Sequence, residues 1–168
     1  MTIKIGDRLP QTTFRVMTPD GPAAKTTDDI FRGRKVALVA VPGAFTPTCD
    51  RNHLPGYVQR ADELKAAGID AIAVTAVNDV FVLKAWSQSA GADGNVEMLS
   101  DGNGDFAKAL GLAFDGSGFG LGTRSQRYAM LVDDGMVRWL AVEDAPSKAE
   151  ASSADSFLNH LGESQQAA

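Results

Sequence analysis

Two almost uninterrupted apolar runs, Lys35–Val41 and Ile69–Val77, constrain the fold of this chain more than any other feature of its sequence. Neither run alternates regularly with polar residues, which is typical of strands that are covered on both faces of a sheet. A helical pattern follows each run, over residues 48–67 and 80–90. Strands that alternate with helices predict an α/β fold whose sheet contains parallel pairs.

Hairpins flank this alternating region. The turn signal Pro19–Pro22 predicts an early hairpin around Phe14–Val16, since proline presets φ and glycine accepts a positive φ. Towards the other end, Asp133–Gly135 joins two β-rich runs, 128–132 and 136–142. The Asp-Gly pair suits a tight turn, so these runs are predicted to be antiparallel strands.

Three segments interrupt the regular pattern. Pro55 lies inside the first predicted helix and predicts a kink or an irregular turn near residues 52–55. The glycine-rich stretch 111–126 has no period and lacks the spacing of a dinucleotide-binding motif, so it is interpreted as a flexible or closely packed loop. A last helix is predicted to end at Gly162, ahead of a frayed tail, Glu163–Ala168.

Composition limits the class of protein. The chain has 168 residues, 44% of them hydrophobic and 22% charged, which fits a single globular domain over residues 1–168. A formal net charge of −5 and the lack of a long basic run argue against nucleic acid or an anionic membrane as partners. The first residues contain no apolar segment and no stretch approaches a membrane span, so a soluble, cytoplasmic protein is expected.

Cys49 is the only cysteine, and it lies where the first apolar run gives way to a helix. Unpaired backbone N–H groups and the helix dipole favour a thiolate at such a position, and Thr46 and Thr48 place hydroxyls nearby. A single cysteine excludes a disulfide within the chain, and with only His53 and His160 beside it no metal site is expected, nor is any cofactor. From these residues alone, a buried cysteine that acts as a small hydrophobe is equally compatible.

The spacing Pro42-x-x-x-Thr46-x-x-Cys49 resembles the active-site motif of peroxiredoxins, and the longer run 41–58 is similar to their type II, or fifth, subfamily. The likeness continues in Gln126–Met130 and in the hairpin that follows, so it covers nearly the whole chain. This resemblance implies a thioredoxin-like fold, with a central mixed β-sheet flanked by helices and an N-terminal hairpin extension. It also implies a thiol peroxidase that reduces hydrogen peroxide and organic hydroperoxides.

The resemblance assigns roles to four residues. Cys49 is expected to attack the peroxide and become a sulfenic acid, and Thr46 to hydrogen-bond the peroxide, although its hydroxyl fits a local turn equally well. Pro42 is expected to shape the pocket and shield the oxidised sulfur. Arg127, just before the aromatic residue that opens the C-terminal hairpin, matches the family's active-site arginine and would stabilise negative charge. Arg124 is the competing candidate and is assigned as a surface or loop residue.

Four further residues complete the predicted pocket. Gly43 and Phe45 are expected to fix the loop, and Thr48 lies where backbone N–H groups would point to the peroxide. His53 lies one helical turn after Cys49, so a cysteine hydrolase in which His53 is the base is an alternative. No orienting partner for it is identifiable in the sequence, and the resemblance implies a supporting role for His53 instead.

The missing second cysteine implies, within this family, that an external thiol reduces the sulfenic acid. Glutathione with glutaredoxin, or thioredoxin, is the family's usual partner, and the sequence does not choose between them. Family members also form homodimers, and Phe45, Phe81 and Phe119 are candidates for such an interface or, alternatively, for the monomer core. The alternative function is a thioredoxin-fold redox sensor that passes oxidation from Cys49 to a partner protein.

Overall fold

The computed structural model describes residues 2–166, in which short strands and helices alternate along the chain. The strands are β1 (Thr13–Thr18), β2 (Gly21–Thr26), β3 (Lys35–Ala40), β4 (Ala71–Ala76), β5 (Glu97–Ser100), β6 (Ala113–Asp115), β7 (Thr123–Ser125), β8 (Tyr128–Asp133) and β9 (Met136–Val142). The α-helices are α1 (Thr27–Phe31), α2 (Leu54–Gln59), α3 (Ala61–Ala66), α4 (Val80–Ser89), α5 (Asp105–Leu110) and α6 (Ala154–Gln166). A π-helical turn, Cys49–His53, precedes α2, and a 3-10 turn, Ser117–Phe119, lies between β6 and β7.

Seven of the strands form one mixed sheet in the order β2-β1-β5-β4-β3-β8-β9. β4 pairs in parallel with both β3 and β5, whereas the hairpins β1–β2 and β8–β9 extend the sheet with antiparallel strands. β3 is buried from Val36 to Ala40 and β4 from Ala71 to Ala76, as their continuous apolar sequences require. The predicted α/β architecture, a mixed sheet with an N-terminal hairpin, is confirmed.

One apolar core lies on each face of this sheet. On one face, α2, α3, α4 and α6 pack their apolar residues against alternate strand positions, with Tyr57 and Trp86 among the largest side chains. Cys49 belongs to this core. On the other face, α1 and α5 contribute Phe31 and Phe106 to a second core. Helices therefore cover both faces, and the thiol lies on the face that carries α2.

The helix predicted over residues 48–67 is divided into three parts. The π-helical turn Cys49–His53 comes first, and its closing hydrogen bond runs from the Leu54 N–H to the first carbonyl of the turn. Pro55 follows in the first turn of α2, where its missing N–H has little cost. α2 ends at Gln59, and the next residue, Arg60, has a φ of −100° and a ψ of 10° that break the helix before α3. The predicted irregularity beside Pro55 is therefore present, as a π-helical turn.

The sequence predicts a loop over residues 111–126, but this is only partly correct. Within this stretch, β6 and β7 pair as an antiparallel hairpin. The chain packs closely on itself at the tip of this hairpin. A Cβ atom on Gly116 would lie only 2.8 Å from the Cβ of Leu121, so glycine permits an approach that other residues would block. The lack of period in the sequence reflects the shortness of these strands.

The predicted end of the last helix at Gly162 is wrong, because α6 continues through this residue to Gln166. A glycine inside a helix costs about 1 kcal/mol, which the burial of Phe157 and Leu161 against the core outweighs. Of the predicted frayed tail, Glu163–Gln166 continue the helix, and Ala167 and Ala168 lie outside the described residues. Within residues 2–166, neither α6 nor any other helix is long and apolar enough to cross a membrane.

Candidate active site

Cys49 lies at the start of a helical segment, as its position after β3 predicts. The Asp50 N–H donates to the Thr46 carbonyl at 2.8 Å, so the first helical turn forms around the thiol. Cys49 is a free cysteine and is 0% exposed. Because water does not reach this sulfur, any negative charge on it must be balanced by protein groups.

Arg127 supplies a balancing charge. This residue immediately precedes β8 and is only 2% exposed. Its Nη2 donates to Cys49 Sγ at 2.8 Å, and the Pro146 carbonyl accepts from Nε at 3.1 Å and from Nη2 at 3.0 Å. Among residues 2–166, none of the ion pairs involves Arg127. The buried guanidinium is therefore free to stabilise charge on the sulfur through a charge-assisted hydrogen bond.

His53 holds the other edge of the guanidinium. Its Nδ1 lies 2.8 Å from Arg127 Nη1, and its Nε2 lies 3.0 Å from the Ser152 carbonyl oxygen. Since a guanidinium can only donate, Nδ1 must accept and Nε2 must carry the proton. Burial, and after it the charge of Arg127, lowers the pKa of His53 from 6.5 to about 4. His53 is therefore neutral near pH 7, and its hydrogen-bond partner is Arg127 rather than the sulfur.

The lowered pKa of His53 predicts a pH dependence of stability. Between pH 6.5 and 4 the unfolded chain binds a proton that the folded chain does not, so stability is lost as the pH falls through this window. From pH 7 to pH 5 the expected loss is about 2 kcal/mol. His53→Gln cannot titrate, so urea unfolding at these two pH values should show a loss smaller by that amount in the variant. Equal losses in both proteins would contradict a buried, neutral His53.

The loop before Cys49 is fixed by contacts to backbone carbonyls. Thr46 Oγ1 donates to the Gly43 carbonyl at 2.6 Å, and Thr48 Oγ1 donates to the Ser147 carbonyl at 3.1 Å. A Cβ atom on Gly43 would lie 2.9 Å from Arg124 Nη1 and 3.1 Å from Thr46 Cγ2. A side chain at position 43 would therefore require the Arg124 side chain to shift.

The prediction that Arg124 is a surface or loop residue needs a correction. It lies on β7 and is partly buried. Its Nη1 donates to the Pro42 carbonyl at 3.4 Å and its Nε donates to the Leu121 carbonyl at 2.9 Å. Arg124 thus links the β6–β7 hairpin to the loop that begins at Pro42, while the contact with the sulfur belongs to Arg127.

A cavity of about 370 Å³ adjoins these residues. The predicted site residues that line it are Pro42, Thr46, Thr48 and Arg127, and the β6–β7 hairpin adds Phe114, Phe119 and Leu121. Gly43, Phe45 and His53, which are predicted to complete the pocket, do not line the cavity, and neither does the fully buried Cys49. The cavity has a cationic end and an apolar wall. In the described part of the chain, no group of three or more His, Cys, Asp or Glu residues could hold a metal ion.

The phenylalanines considered for an interface are all exposed. The exposed fraction is 48% for Phe45, 64% for Phe81 and 78% for Phe119, so their interpretation as monomer core is wrong. Phe45 also adopts a φ of 64°, which is uncommon outside glycine, and its ring lies 6.4 Å from that of Trp86. The active-site loop therefore holds a large apolar side chain at the surface.

Residues that sequence reasoning missed complete the site. The Ser152 carbonyl accepts from Tyr57 Oη at 2.6 Å as well as from His53. The Ser152 N–H and Oγ donate to Glu143 Oε2 at 2.7 and 2.5 Å. In the sequence, the only signal at Ser152 is that of a helix start. Nothing there indicates that its carbonyl accepts a hydrogen bond from His53, far away in the chain.

Comparison with known proteins identifies the class of this site. Residues 4–158 match the redoxin family. The chain is also 47% identical over 165 residues to peroxiredoxin-2E-2, chloroplastic, from Oryza sativa subsp. japonica, a match that spans 95% of this chain and 73% of that relative. The chain belongs to the redoxin family and is a peroxiredoxin.

Solved structures place this peroxiredoxin in the type II, or fifth, subfamily. Reduced Prx3 from Vibrio vulnificus, in complex with hydrogen peroxide, has a TM-score of 0.91 and 49% identity, covering 95% of this chain and 99% of that one. Peroxiredoxin 5 from Alvinella pompejana has a TM-score of 0.84 and 35% identity, covering 96% and 99% of the two chains. The predicted thioredoxin-like fold and the resemblance carried by the Pro42–Cys49 motif are thereby confirmed.

Cys49 is the peroxidatic thiol of this peroxiredoxin, and the protein is a thiol peroxidase. The interpretation of Cys49 as an inert core residue is wrong, although its side chain is fully buried. The side chain in contact with this sulfur is the buried guanidinium of Arg127.

Proposed function

We propose that this peroxiredoxin reduces hydrogen peroxide and organic hydroperoxides at the Cys49–Arg127 pair. The Cys49 thiolate attacks one peroxide oxygen, an S–O bond forms and the O–O bond breaks, giving a sulfenic acid. The departing oxygen leaves with the electron pair of the O–O bond, binds the proton that the thiol released, and becomes water or an alcohol. The observation that carries this proposal is the 2.8 Å contact between Arg127 Nη2 and Cys49 Sγ in a buried setting.

The residues around this pair have separate roles in the proposal. Arg127 stabilises negative charge on the sulfur and on the departing oxygen. The Thr46 hydroxyl donates its hydrogen bond to the Gly43 carbonyl, so the lone pairs of its oxygen can accept a hydrogen bond from the peroxide hydroxyl. Pro42 forms part of the cavity wall and limits the access of water to the oxidised sulfur. The apolar wall from the β6–β7 hairpin accommodates the carbon chain of an organic hydroperoxide.

The proposed cycle is closed by a thiol from outside the chain. Cys49 is the only cysteine, so its sulfenic acid cannot form a disulfide within one chain. A thiolate of the reductant attacks the sulfenic sulfur, water leaves, and a second thiol breaks the mixed disulfide to restore Cys49. Glutathione with glutaredoxin, or thioredoxin, supplies both thiols.

Steady-state peroxide consumption with each reductant tests this cycle. We expect turnover of hydrogen peroxide and of cumene hydroperoxide with glutathione and glutaredoxin, with thioredoxin and its reductase, or with both systems. Cys49→Ser is the blank for direct reaction of the reductants. If neither system supports consumption, while oxidised Cys49 is trapped as a mixed disulfide with one protein, the sensor function would replace the peroxidase cycle.

A homodimer and a cytoplasmic location belong to the same proposal. Phe45 and Phe81 are exposed by 48% and 64%, and a second copy of the chain would remove such rings from water. Light scattering should give the mass of two chains in solution.

A free, single thiol suits a reducing compartment such as the cytoplasm. The rice relative is chloroplastic by name, so localisation of the tagged protein in its own cells is the required measurement.

A further inference from the structure

The connection between β9 and α6, residues 144–153, forms a strap beside the Cys49 site. It contains no helix or strand, and only two backbone hydrogen bonds, Lys148 to Ala145 and Ser153 to Glu150, join its residues to one another. Even so, the Pro146 carbonyl of the strap accepts two hydrogen bonds from the Arg127 guanidinium. A connection with so little internal bonding needs an anchor if its carbonyls are to stay in place.

Ser152 provides the second strap carbonyl at the site. It accepts from His53 Nε2 at 3.0 Å and from Tyr57 Oη at 2.6 Å. Because the Nε2 proton is committed to Ser152, Nδ1 is left as the acceptor for Arg127 Nη1 at 2.8 Å. The Ser152 carbonyl thus sets the tautomer and the orientation of the His53 ring, and the ring fixes one edge of the guanidinium.

The Glu143 carboxylate anchors this end of the strap. Its Oε2 accepts from the Ser152 N–H at 2.7 Å and from Ser152 Oγ at 2.5 Å, and its Oε1 accepts from the Ala151 N–H at 3.3 Å. Burial raises the pKa of Glu143, but these hydrogen bonds together outweigh it and hold the pKa below its ordinary value of 4.5. The anchor is therefore an ionised carboxylate at neutral pH.

The backbone ties Glu143 to the arginine that the strap holds. The Glu143 N–H donates to the Arg127 carbonyl at 3.0 Å, one position beyond the last β8–β9 pair. The two side chains do not pair, however, because no ion pair within residues 2–166 includes either of them. Glu143 therefore does not neutralise the charge of Arg127. Its carboxylate is connected to the guanidinium only indirectly, through Ser152 of the strap and His53.

We propose that Glu143 is a positioning residue for peroxide reduction: by anchoring Ser152 it orients His53, so that Arg127 Nη2 is directed to Cys49 Sγ. This inference rests on the proposed role of Arg127 and adds the group that fixes its direction. Without the carboxylate, the Ser152 carbonyl is no longer held, the His53 ring can turn over, and the guanidinium can move away from the sulfur. Small misplacements of this kind slow a reaction roughly 10- to 100-fold.

Glu143→Gln tests this role, because glutamine keeps the shape of the side chain but removes its charge and places an NH2 group against either the Ser152 donors or the Ala151 N–H. Rapid mixing of the reduced variant with hydrogen peroxide should show a rate constant lower by roughly 10- to 100-fold. The pH profile of Cys49 alkylation by iodoacetamide should also move to higher pH, which a loss of overall stability does not cause. Glu150→Gln removes an exposed carboxylate from the same strap and should behave as the wild type.

A double-mutant cycle separates positioning from general damage. If Glu143 acts through Arg127, Glu143→Gln should slow the Arg127→Ala protein very little, whereas independent effects would multiply. A wild-type rate in Glu143→Gln, or losses that multiply, would overturn the inference. If Glu143→Gln does not fold, Ser152→Ala removes one donor to the carboxylate and should give the same non-multiplying pattern with a loss of roughly fivefold.

The cycle also tells the two proposals apart. An Arg127→Ala protein that reacts as fast as the wild type would remove the proposed role of Arg127, whatever Glu143→Gln does. A slow Arg127→Ala protein beside a fast Glu143→Gln protein would leave that role intact and would overturn the positioning role alone.

Discussion

Replacing Cys49 by serine is expected to abolish peroxide reduction. A serine hydroxyl is not ionised near neutral pH and is a far weaker nucleophile than a thiolate. Because Cys49 is the only cysteine, no other thiol in the chain can replace it. The rate of peroxide consumption should fall on the order of a thousandfold or more, to the background of the reductant alone.

The fold should survive this substitution. Arg127 Nη2, which donates to Cys49 Sγ at 2.8 Å, can donate to a serine oxygen as well, so no buried donor loses its acceptor. The free energy of unfolding in urea should therefore change by no more than about 1 kcal/mol. A folded Cys49→Ser protein that still consumed peroxide at an appreciable fraction of the wild-type rate would contradict the assignment of the thiol.

Replacing Arg127 by alanine is expected to slow the reaction with peroxide by roughly 100- to 1000-fold, the size typical of losing one preorganised donor to a developing charge. The substitution removes the guanidinium whose Nη2 is in contact with the sulfur. It also leaves the Pro146 carbonyl and His53 Nδ1 without their donor. The measurement is the rate constant for reaction of the reduced protein with hydrogen peroxide, obtained by rapid mixing.

Arg124→Ala is the matched control for this loss of charge. Arg124 lies near the same cavity, but its guanidinium donates to the carbonyls of Pro42 and Leu121 rather than to the sulfur. Its removal should loosen the loop and lower the rate only a fewfold. Arg127→Lys keeps the charge with a different donor geometry and should fall between the wild type and Arg127→Ala. Equal, small effects of Arg127→Ala and Arg124→Ala would contradict the proposed role of Arg127.

The parts of this protein that could be predicted from its sequence are those with local causes. β3 and β4 follow from continuous apolar runs, and the β8–β9 hairpin follows from Asp-Gly between two β-rich segments. The position of Cys49 at a helix start follows from the strand and the proline before it. The roles of Thr46 and Pro42 come from the resemblance to peroxiredoxins and stay predictions.

The connections that hold Arg127 could not be predicted, because they join residues that are far apart in the chain. Arg127 contacts Cys49 and His53 across 78 and 74 positions, and His53 reaches the Ser152 carbonyl across 99 positions. A backbone carbonyl has no sequence signature, so the roles of Pro146 and Ser152 depend on the fold alone. The choice of Arg127 over Arg124, three positions away, came from the resemblance to peroxiredoxins rather than from any local cause, and it is Arg127 that contacts the sulfur.

Tertiary contacts also overrode two local signals. Gly162 marks a helix end by its own conformational preference, but the packing of α6 against the core carries the helix past it. The glycines of residues 111–126 indicated a loop, but Gly116 allows the close approach that closes the β6–β7 hairpin. That hairpin supplies the apolar wall of the cavity. Because the sequence predicts a loop there, it does not indicate this part of the site.

Mass spectrometry of the reduced protein after one equivalent of hydrogen peroxide tests the role of Cys49 most directly. We expect one oxygen atom added at Cys49, reversed by a reducing thiol, and no such addition in Cys49→Ser. The Arg127→Ala protein should acquire the same oxygen far more slowly. If Cys49 stayed unmodified while the methionines took up the oxygen, Cys49 would not be the thiol that reduces peroxide.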